Sequence, residues 1–331
     1  MKDKKRQKEL LILQTLASAT EPLSGSDITG MIGESDLSER TVRLYLTKLD
    51  AEGLTEPRGK QGRIITERGR SVLDSGHLIK RLGFMSTKID SVTYGMSFDL
   101  ALRRGSVVVN TAIVKRADFI AHLDEVCAVF EKGYAMGTMV NLLEEGREFG
   151  GIAIPPGHIG FCTVCSVTLN GVLLKYGIPT RSLFSGLLEL ENGEATHFVD
   201  FITYDGTTMD PLQLFIRAHM TNYMGAIRDG NGRIGAGFRE IPEGSYELAQ
   251  NLARKLVNVG LGAFLQIGNP SKELLNIPVR EGCCGVIVIG GLNPVAIFEE
   301  NGVSVRYFAI SGLMEYNELF PWNEMKSRFG V

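Results

Sequence analysis

The residues best able to do chemistry gather around one loop. Ile154-Pro155-Pro156-Gly157-His158-Ile159-Gly160 is rigid and glycine-flanked, carries a single histidine, and opens onto Cys162-Thr163-Val164-Cys165-Ser166. A second thiol pair, Cys283-Cys284, follows later, and symmetric packing of two halves would let the four thiols approach one another. A Cys-x-x-Cys spacing suits zinc or a redox dithiol, but adjacent cysteines make a poor second half of a four-thiolate site. A Cys165–His158 nucleophile is chemically conceivable, yet the sequence suggests no third residue to orient the imidazole. Cysteine is also a common small core residue, so packing or pocket lining is the favoured reading, with no metal and no catalytic residue expected. Pocket polarity is more informative. His158, Thr163, Cys165, Ser166, Asn170 and Arg181 lie near expected strand ends, and Arg306 answers Arg181 further along. Small hydroxyls with an arginine suit a carboxylate-bearing metabolite, because a guanidinium fork meets a carboxylate bidentately. These seven residues are the expected effector contacts, although either arginine alone would serve equally well in a surface ion pair.

A different chemistry is written into the first eighty residues. Arg40, Arg43 and Thr47 share one face of an expected helix, with Thr41 and Lys48 at its flanks. Long donors on such a face read base edges in the major groove while flanking groups reach phosphates. Downstream, Arg58, Lys60 and Arg63 stand on a glycine-rich tip, followed by Arg68 and Arg70, and Glu67 is the one acid in that stretch. A basic tip of this kind can sit over a nucleic-acid backbone. Ordinary solvated charge is the bland alternative, because residues 1–80 hold 14 basic against 12 acidic side chains.

Positioning that face requires particular elements. Residues 5–18 read as a helix with Leu10, Leu13 and Ala17 on its apolar side. A short helix runs from Gly25 to Ile32, with Ile28, Met31 and Ile32 on one side. Ser38 can cap a third helix from Glu39 to Glu52 whose Val42, Leu46 and Leu49 form a narrow buried stripe. Two short strands then flank the basic tip, and a last helix begins near Glu67. Helix, helix, helix and basic hairpin is the order of a winged helix-turn-helix, expected over residues 1–78.

From residue 81 the chain repeats itself. Leu169-Asn170-Gly171-Val172, Gly177-Ile178-Pro179-Thr180-Arg181 and Ser185-Gly186-Leu187 are matched by Leu292-Asn293-Pro294-Val295, Gly302-Val303-Ser304-Val305-Arg306 and Ser311-Gly312-Leu313. Asn170 and Asn293 are placed to cap short helices, and Gly177 and Gly302 suit their left-handed stops. Each half, about 91–190 and 197–315, reads as strand, strand, helix, strand, strand, short helix, strand. Val92-Thr93-Tyr94 and Ile202-Thr203-Tyr204 are the first strands, and Glu191-Asn192-Gly193-Glu194 is a hairpin turn at the junction. The fold class is therefore α+β: a winged helix followed by an α+β sensor domain (81–331) of two related halves with a ligand cleft between them.

Composition bounds the rest. The chain has 331 residues, a net charge of −3 and five cysteines, which argues against a general polyanion binder and against a disulfide framework. No apolar run is long enough for a membrane helix. The basic start before Leu10-Leu11-Ile12-Leu13 imitates a signal peptide, but four apolar residues at helical spacing fit an amphipathic first helix better. A cytoplasmic, non-membrane protein is expected.

Several unusual segments in one order carry a family resemblance. Ile154 to Gly160, Cys165-Ser166-Val167-Thr168-Leu169-Asn170-Gly171, Met96-Ser97-Phe98-Asp99, Val107-Val108-Val109-Asn110, Asp210-Pro211-Leu212 and Gly235-Ala236-Gly237-Phe238-Arg239-Glu240-Ile241-Pro242 resemble the NrpR regulatory domain over about residues 81–320. A preceding winged helix is also that family's arrangement. The resemblance implies a transcriptional repressor of nitrogen-assimilation genes, first known from methanogenic archaea. It implies binding of double-stranded operator DNA as a homodimer, weakened by the dicarboxylate 2-oxoglutarate as effector, with no cofactor. Some members carry two NrpR domains in tandem, and this chain has one. The alternatives to that reading are a thiol-dependent enzyme using Cys165 and His158 with an appended winged helix, and an RNA-binding regulator.

Overall fold

The computed structural model describes residues 2–19, 21–32, 37–70, 72 and 84–330. They form two compact units, Met1–Gly83 and Phe84–Val331, so the division falls a few residues beyond the expected one at 78–81.

The first unit has helices Lys2–Ser18, Gly25–Ile32 and Glu39–Ala51, then an antiparallel ribbon of β1 (Thr55–Pro57) and β2 (Arg63–Ile65). Ser38 caps the third helix as anticipated, its side-chain oxygen accepting from the Thr41 amide. Val42, Leu46 and Leu49 are fully buried and meet Ile12, Leu13, Leu16, Ile28 and Ile65 in one small core. The first helix turns Ile12, Leu13 and Leu16 inward; of the expected Leu10, Leu13 and Ala17 stripe, Leu13 is buried, Ala17 is partly buried at the margin, and the side chain of Leu10 lies outside the described residues. Met31, expected on the same side as Ile28 and Ile32, is 58% exposed, because Gly25, Ile28 and Ile32, at i, i+3 and i+7, make the inward face of this helix. The last helix, expected from Glu67 to Leu73, is seen over 67–70, and Leu73 lies outside the described residues.

The second unit holds two five-stranded antiparallel sheets and a two-stranded ribbon, β5 (Glu148–Phe149) with β6 (Ile152–Ala153). One sheet orders β13 (Arg306–Glu315), β3 (Ser106–Lys115), β7 (His158–Val164), β4 (Met139–Leu143) and β14 (Phe320–Pro321). The other orders β11 (Phe264–Ile267), β12 (Cys283–Ile289), β10 (Gly232–Pro242), β8 (Arg181–Glu191) and β9 (Glu194–Thr203). The repeat is visible in this list: β3, β4, β7 and β8 of the first half correspond to β10, β11, β12 and β13 of the second. The last strand of each half pairs in the other half's sheet, β8 on β10 and β13 on β3. The halves therefore exchange strands across a shared apolar core, where two halves flanking an open cleft were expected.

Local chemistry explains the joints. Asn192 and Gly193 both take positive φ, 53° and 84°, the geometry that lets a two-residue turn follow the twist of β8 and β9. Gly177 and Gly302 stop the helices Val167–Lys175 and Asn293–Glu300 in the left-handed region. Neither Asn170 nor Asn293 caps its helix. Both lie inside the helices and are buried, because their amides are drawn into side-chain and carbonyl contacts across the core. Val92-Thr93-Tyr94, expected as a strand, belongs to the helix Met85–Gly95. Met85, Ile89 and Val92 recur at helical spacing and face the core, which overrides the β-branched residues' strand preference.

Candidate functional site

In the first unit, burying Val42, Leu46 and Leu49 forces the opposite face of the same helix outward. Arg40, Arg43, Thr47 and Lys48 are exposed there. Arg43 donates to Glu39 at 2.5 Å, and Lys48 pairs with Glu9 at 2.6 Å and Glu52 at 3.5 Å. Such exposed pairs are worth about 0–1 kcal/mol, so a phosphate or base edge can replace them at little cost. Thr41 is only partly exposed and shares a hydrogen bond with Ser38 in the helix cap. On the wing, Arg58 is exposed beside Glu56. Lys60 lies in the turn Gly59–Gln61, and its side chain is outside the described residues. Arg63 departs from expectation. Its Nε donates to Asp50 at 2.8 Å, and Thr55 donates to the other oxygen of the same carboxylate. This half-buried tie fastens the wing to the helix Glu39–Ala51, so Arg63 positions the wing.

In the second unit the expected effector residues separate into groups. His158 opens β7 and Cys165 follows its far end, roughly 20 Å of extended chain away. The His158 Nδ1–H donates to the Pro156 carbonyl. Burial pushes the Cys165 thiol up to about 12, so it is neither paired with the imidazole nor ionised at neutral pH. That geometry excludes a Cys165–His158 nucleophile. Cys162 is likewise pushed up to about 12 by burial. Cys283 and Cys284 begin β12, whereas Cys162 and Cys165 stand near the end of β7. Among the described residues no three His, Cys, Asp or Glu side chains gather as metal ligands. Arg181 and Arg306 are exposed and open β8 and β13, strands of different sheets. Arg306 lies over the Phe308 ring at 5.5 Å.

Thr163, Cys165, Ser166 and Asn170 remain together, at the place where the two repeats meet. The Thr163 hydroxyl donates to the Gly291 carbonyl at 2.6 Å. A Cβ on Gly291 would fall 2.4 Å from the Val164 carbonyl oxygen, so only glycine lets the two repeat turns approach so closely. Asn170 donates to Ser182 at 2.9 Å and accepts from Arg239, whose second terminal nitrogen donates to Ser166 at 2.9 Å.

Arg239 is the residue that sequence reasoning missed. It is 2% exposed. No described residue accepts from its Nε, and neither of its two hydrogen-bond partners is a carboxylate. Removing an ion from water costs several kcal/mol unless it is answered, and burial accordingly lowers the Arg239 pKa. Its neighbour Glu240 points to the other face of β10, where Arg280 answers it at 2.6 Å. The pairing of β10 with β8 slips at Phe238/Arg239, a bulge of the kind that re-aims a side chain. One sequence signal pointed to it: two adjacent charges, Arg239 and Glu240, inside Gly235 to Ile241, a run otherwise fit for a strand buried on both faces.

One hydrogen bond from Arg239, on the far side of Ser166, lies a cavity of about 10 Å³, room for one water molecule, walled by Cys165, Ser166, Tyr204, Asp210, Gly291 and other residues. The Tyr204 hydroxyl is hydrogen-bonded to Ser185. Asp210 caps the helix Pro211–Arg217 by accepting from the Leu212 and Gln213 amides. Burial raises its pKa while Lys88 draws it down.

Comparison with known proteins places this geometry. Residues 82–321 match the model of NrpR regulatory domains 1 and 2, and residues 10–73 match the ribonuclease R winged-helix domain. The global nitrogen regulator NrpRI of Methanosarcina mazei is 30% identical over 96% of this chain and 99% of its own length. The global nitrogen regulator NrpR of Methanocaldococcus jannaschii is 30% identical over 93% of this chain, which spans 54% of that relative. The crystal structure of a nitrogen repressor-like protein from Methanococcus jannaschii is 25% identical and covers 72% of this chain and 98% of its own, with a TM-score of 0.61. Among the described residues no helix is long and apolar enough to cross a membrane. A winged helix followed by a regulatory domain matched over nearly its whole length makes the chain a member of the NrpR family of transcriptional regulators.

Proposed function

We propose that the protein is a ligand-responsive repressor of nitrogen-assimilation genes. It binds a two-half-site operator as a homodimer and releases it when 2-oxoglutarate binds the regulatory domain. The observation that carries this reading is the union, in one chain, of an outward basic helix face (Arg40, Arg43, Thr47) with the NrpR regulatory domain. The names of the relatives, global nitrogen regulators, support the choice of genes. A lone winged helix on a chain of net charge −3 has few phosphate contacts, which favours a dimer reading two half-sites one or two helical turns apart.

The test is a gel-shift titration of the full chain against nitrogen-assimilation promoters, with and without 2-oxoglutarate, and sedimentation of the same samples. Specific binding by a dimer that weakens as 2-oxoglutarate is added supports the proposal. A monomer bound tightly to one half-site removes the dimer, and binding indifferent to 2-oxoglutarate removes the effector. The ribonuclease R likeness of the winged helix makes duplex RNA the right competitor, and preference for RNA over promoter DNA would overturn the DNA assignment.

A further inference from the structure

The outward face of the helix Glu39–Ala51 is less uniformly polar than its arginines suggest. Leu44 is 72% exposed, more than any other leucine among the described residues. Successive helical residues turn through about 100°, so Leu44, two places from both Val42 and Leu46, points directly away from the buried stripe. It stands between Arg40, one turn before, and Thr47 and Lys48, one turn after, all of them exposed. Thr47 donates its hydroxyl to the Arg43 carbonyl at 3.0 Å. Its oxygen is thus turned back onto the helix, and its methyl is the group left to face outward beside Leu44.

The charged neighbours leave that apolar spot open. A Cβ on Gly25 would fall 3.0 Å from the Arg43 Cγ, so the Arg43 stem leans on the helix Gly25–Ile32. Its guanidinium turns to Glu39, to one side of Leu44. Lys48 reaches across to Glu9 on the other side. Helix propensity does not single out leucine here, since arginine, lysine and glutamine serve an exposed helix nearly as well. An apolar centre with a cationic rim needs a partner that is anionic around the edge and apolar at one point. A DNA major groove has that character: phosphates line it, and the C5 methyl of thymine is the apolar group its base edges present.

We propose that Leu44 is a specificity-determining residue of the DNA-reading face, its side chain and the Thr47 methyl packing on the C5 methyl of a thymine in the operator. The proposal rests on the reading of the first unit as an operator-binding domain and names one chemical feature that the domain reads. It also gives that domain a reason to prefer DNA. Uracil lacks the methyl, and the deep, narrow major groove of an RNA helix keeps side chains from the base edges.

The experiment starts from duplex DNA selected out of a random pool by the full-length wild-type chain. Each thymine of the enriched sequence is replaced singly by deoxyuridine, which removes the methyl and keeps the base pair. Affinities of wild type, Leu44→Ala and Lys48→Ala are then measured by fluorescence anisotropy. In the wild type, deoxyuridine at one position should weaken binding about fourfold, the effect of one methyl leaving a buried contact. Leu44→Ala should melt like wild type and be indifferent to deoxyuridine at that position. Lys48→Ala should bind every duplex more weakly and keep the wild-type deoxyuridine profile. A wild type indifferent to every deoxyuridine overturns the contact, and so does an equal deoxyuridine loss in wild type and Leu44→Ala. In both cases the enriched sequence leaves the operator reading standing. A Leu44→Ala chain that melts well below wild type assigns Leu44 to packing and also overturns the contact. A pool from which no sequence is enriched removes the operator reading itself, and the Leu44 contact with it.

Discussion

Single residues in this protein are legible by the company they keep. Arg43 reaches from an exposed helix face, where its guanidinium pairs with Glu39 one turn earlier. Arg43→Ala should leave stability within about 1 kcal/mol of wild type while costing about 1–3 kcal/mol of operator affinity and relaxing specificity at one base position. Fluorescence anisotropy with operator and random duplex checks both parts, and equal losses on the two duplexes would make Arg43 a phosphate contact. The buried thiols give a pH prediction. Burial holds Cys162 and Cys165 at about 12, against an ordinary 9.0, so unfolding releases protons once the solvent passes the unfolded value. Their contribution to stability is complete below pH 9 and is lost as pH rises from about 9 toward about 12. Denaturant unfolding at about pH 8 and about pH 10 should show this loss, and it should shrink in Cys162→Ala/Cys165→Ala.

At the scale of elements, the winged helix depends on small local devices. Ser38 closes the start of the helix Glu39–Ala51 through a 3.3 Å bond from the Thr41 amide. Ser38→Ala should destabilise the first unit by about 1 kcal/mol, and it should weaken specific and random DNA equally, since the cap frays the helix end without touching Arg43. Thermal melts paired with DNA titrations distinguish this from loss of a DNA contact. The Arg63–Asp50–Thr55 cluster is the other device, and it shows why a basic residue on a wing is not automatically a phosphate contact.

At the scale of the whole molecule, the crossing of β8 and β13 sets the behaviour of the regulatory domain. Each five-stranded sheet takes one strand from the other half, so neither half can complete its sheet alone. Cutting between Asn192 and Gly193, in the β8–β9 turn, should yield a first fragment that keeps only the helical signal of the winged-helix unit and a second that is unfolded by circular dichroism, and the two should recover the native spectrum when co-expressed. A first fragment with a sheet signal of its own would show that β10 is dispensable to β8.

Much of this was settled by local chemistry. The helix Glu39–Ala51, its Ser38 cap, the Asn192-Gly193 turn, the glycine stops at Gly177 and Gly302 and the existence of a repeat follow from periodicity, capping and φ preferences within short windows of chain. The family was legible too, because several unusual segments keep one order along the chain. Tertiary structure alone decided what those windows cannot contain. It separated His158 from Cys165 by the length of a strand and set Arg181 and Arg306 in different sheets. It made Val92-Thr93-Tyr94 helical through core packing, and it exchanged the last strands of the halves. Above all it buried Arg239 beside Ser166 and Asn170, residues far apart in sequence whose meeting depends on the β8–β10 register and its bulge. Partners across a sheet interface are chosen by the global packing of apolar faces, and no local pattern records which distant polar residues that packing will bring together.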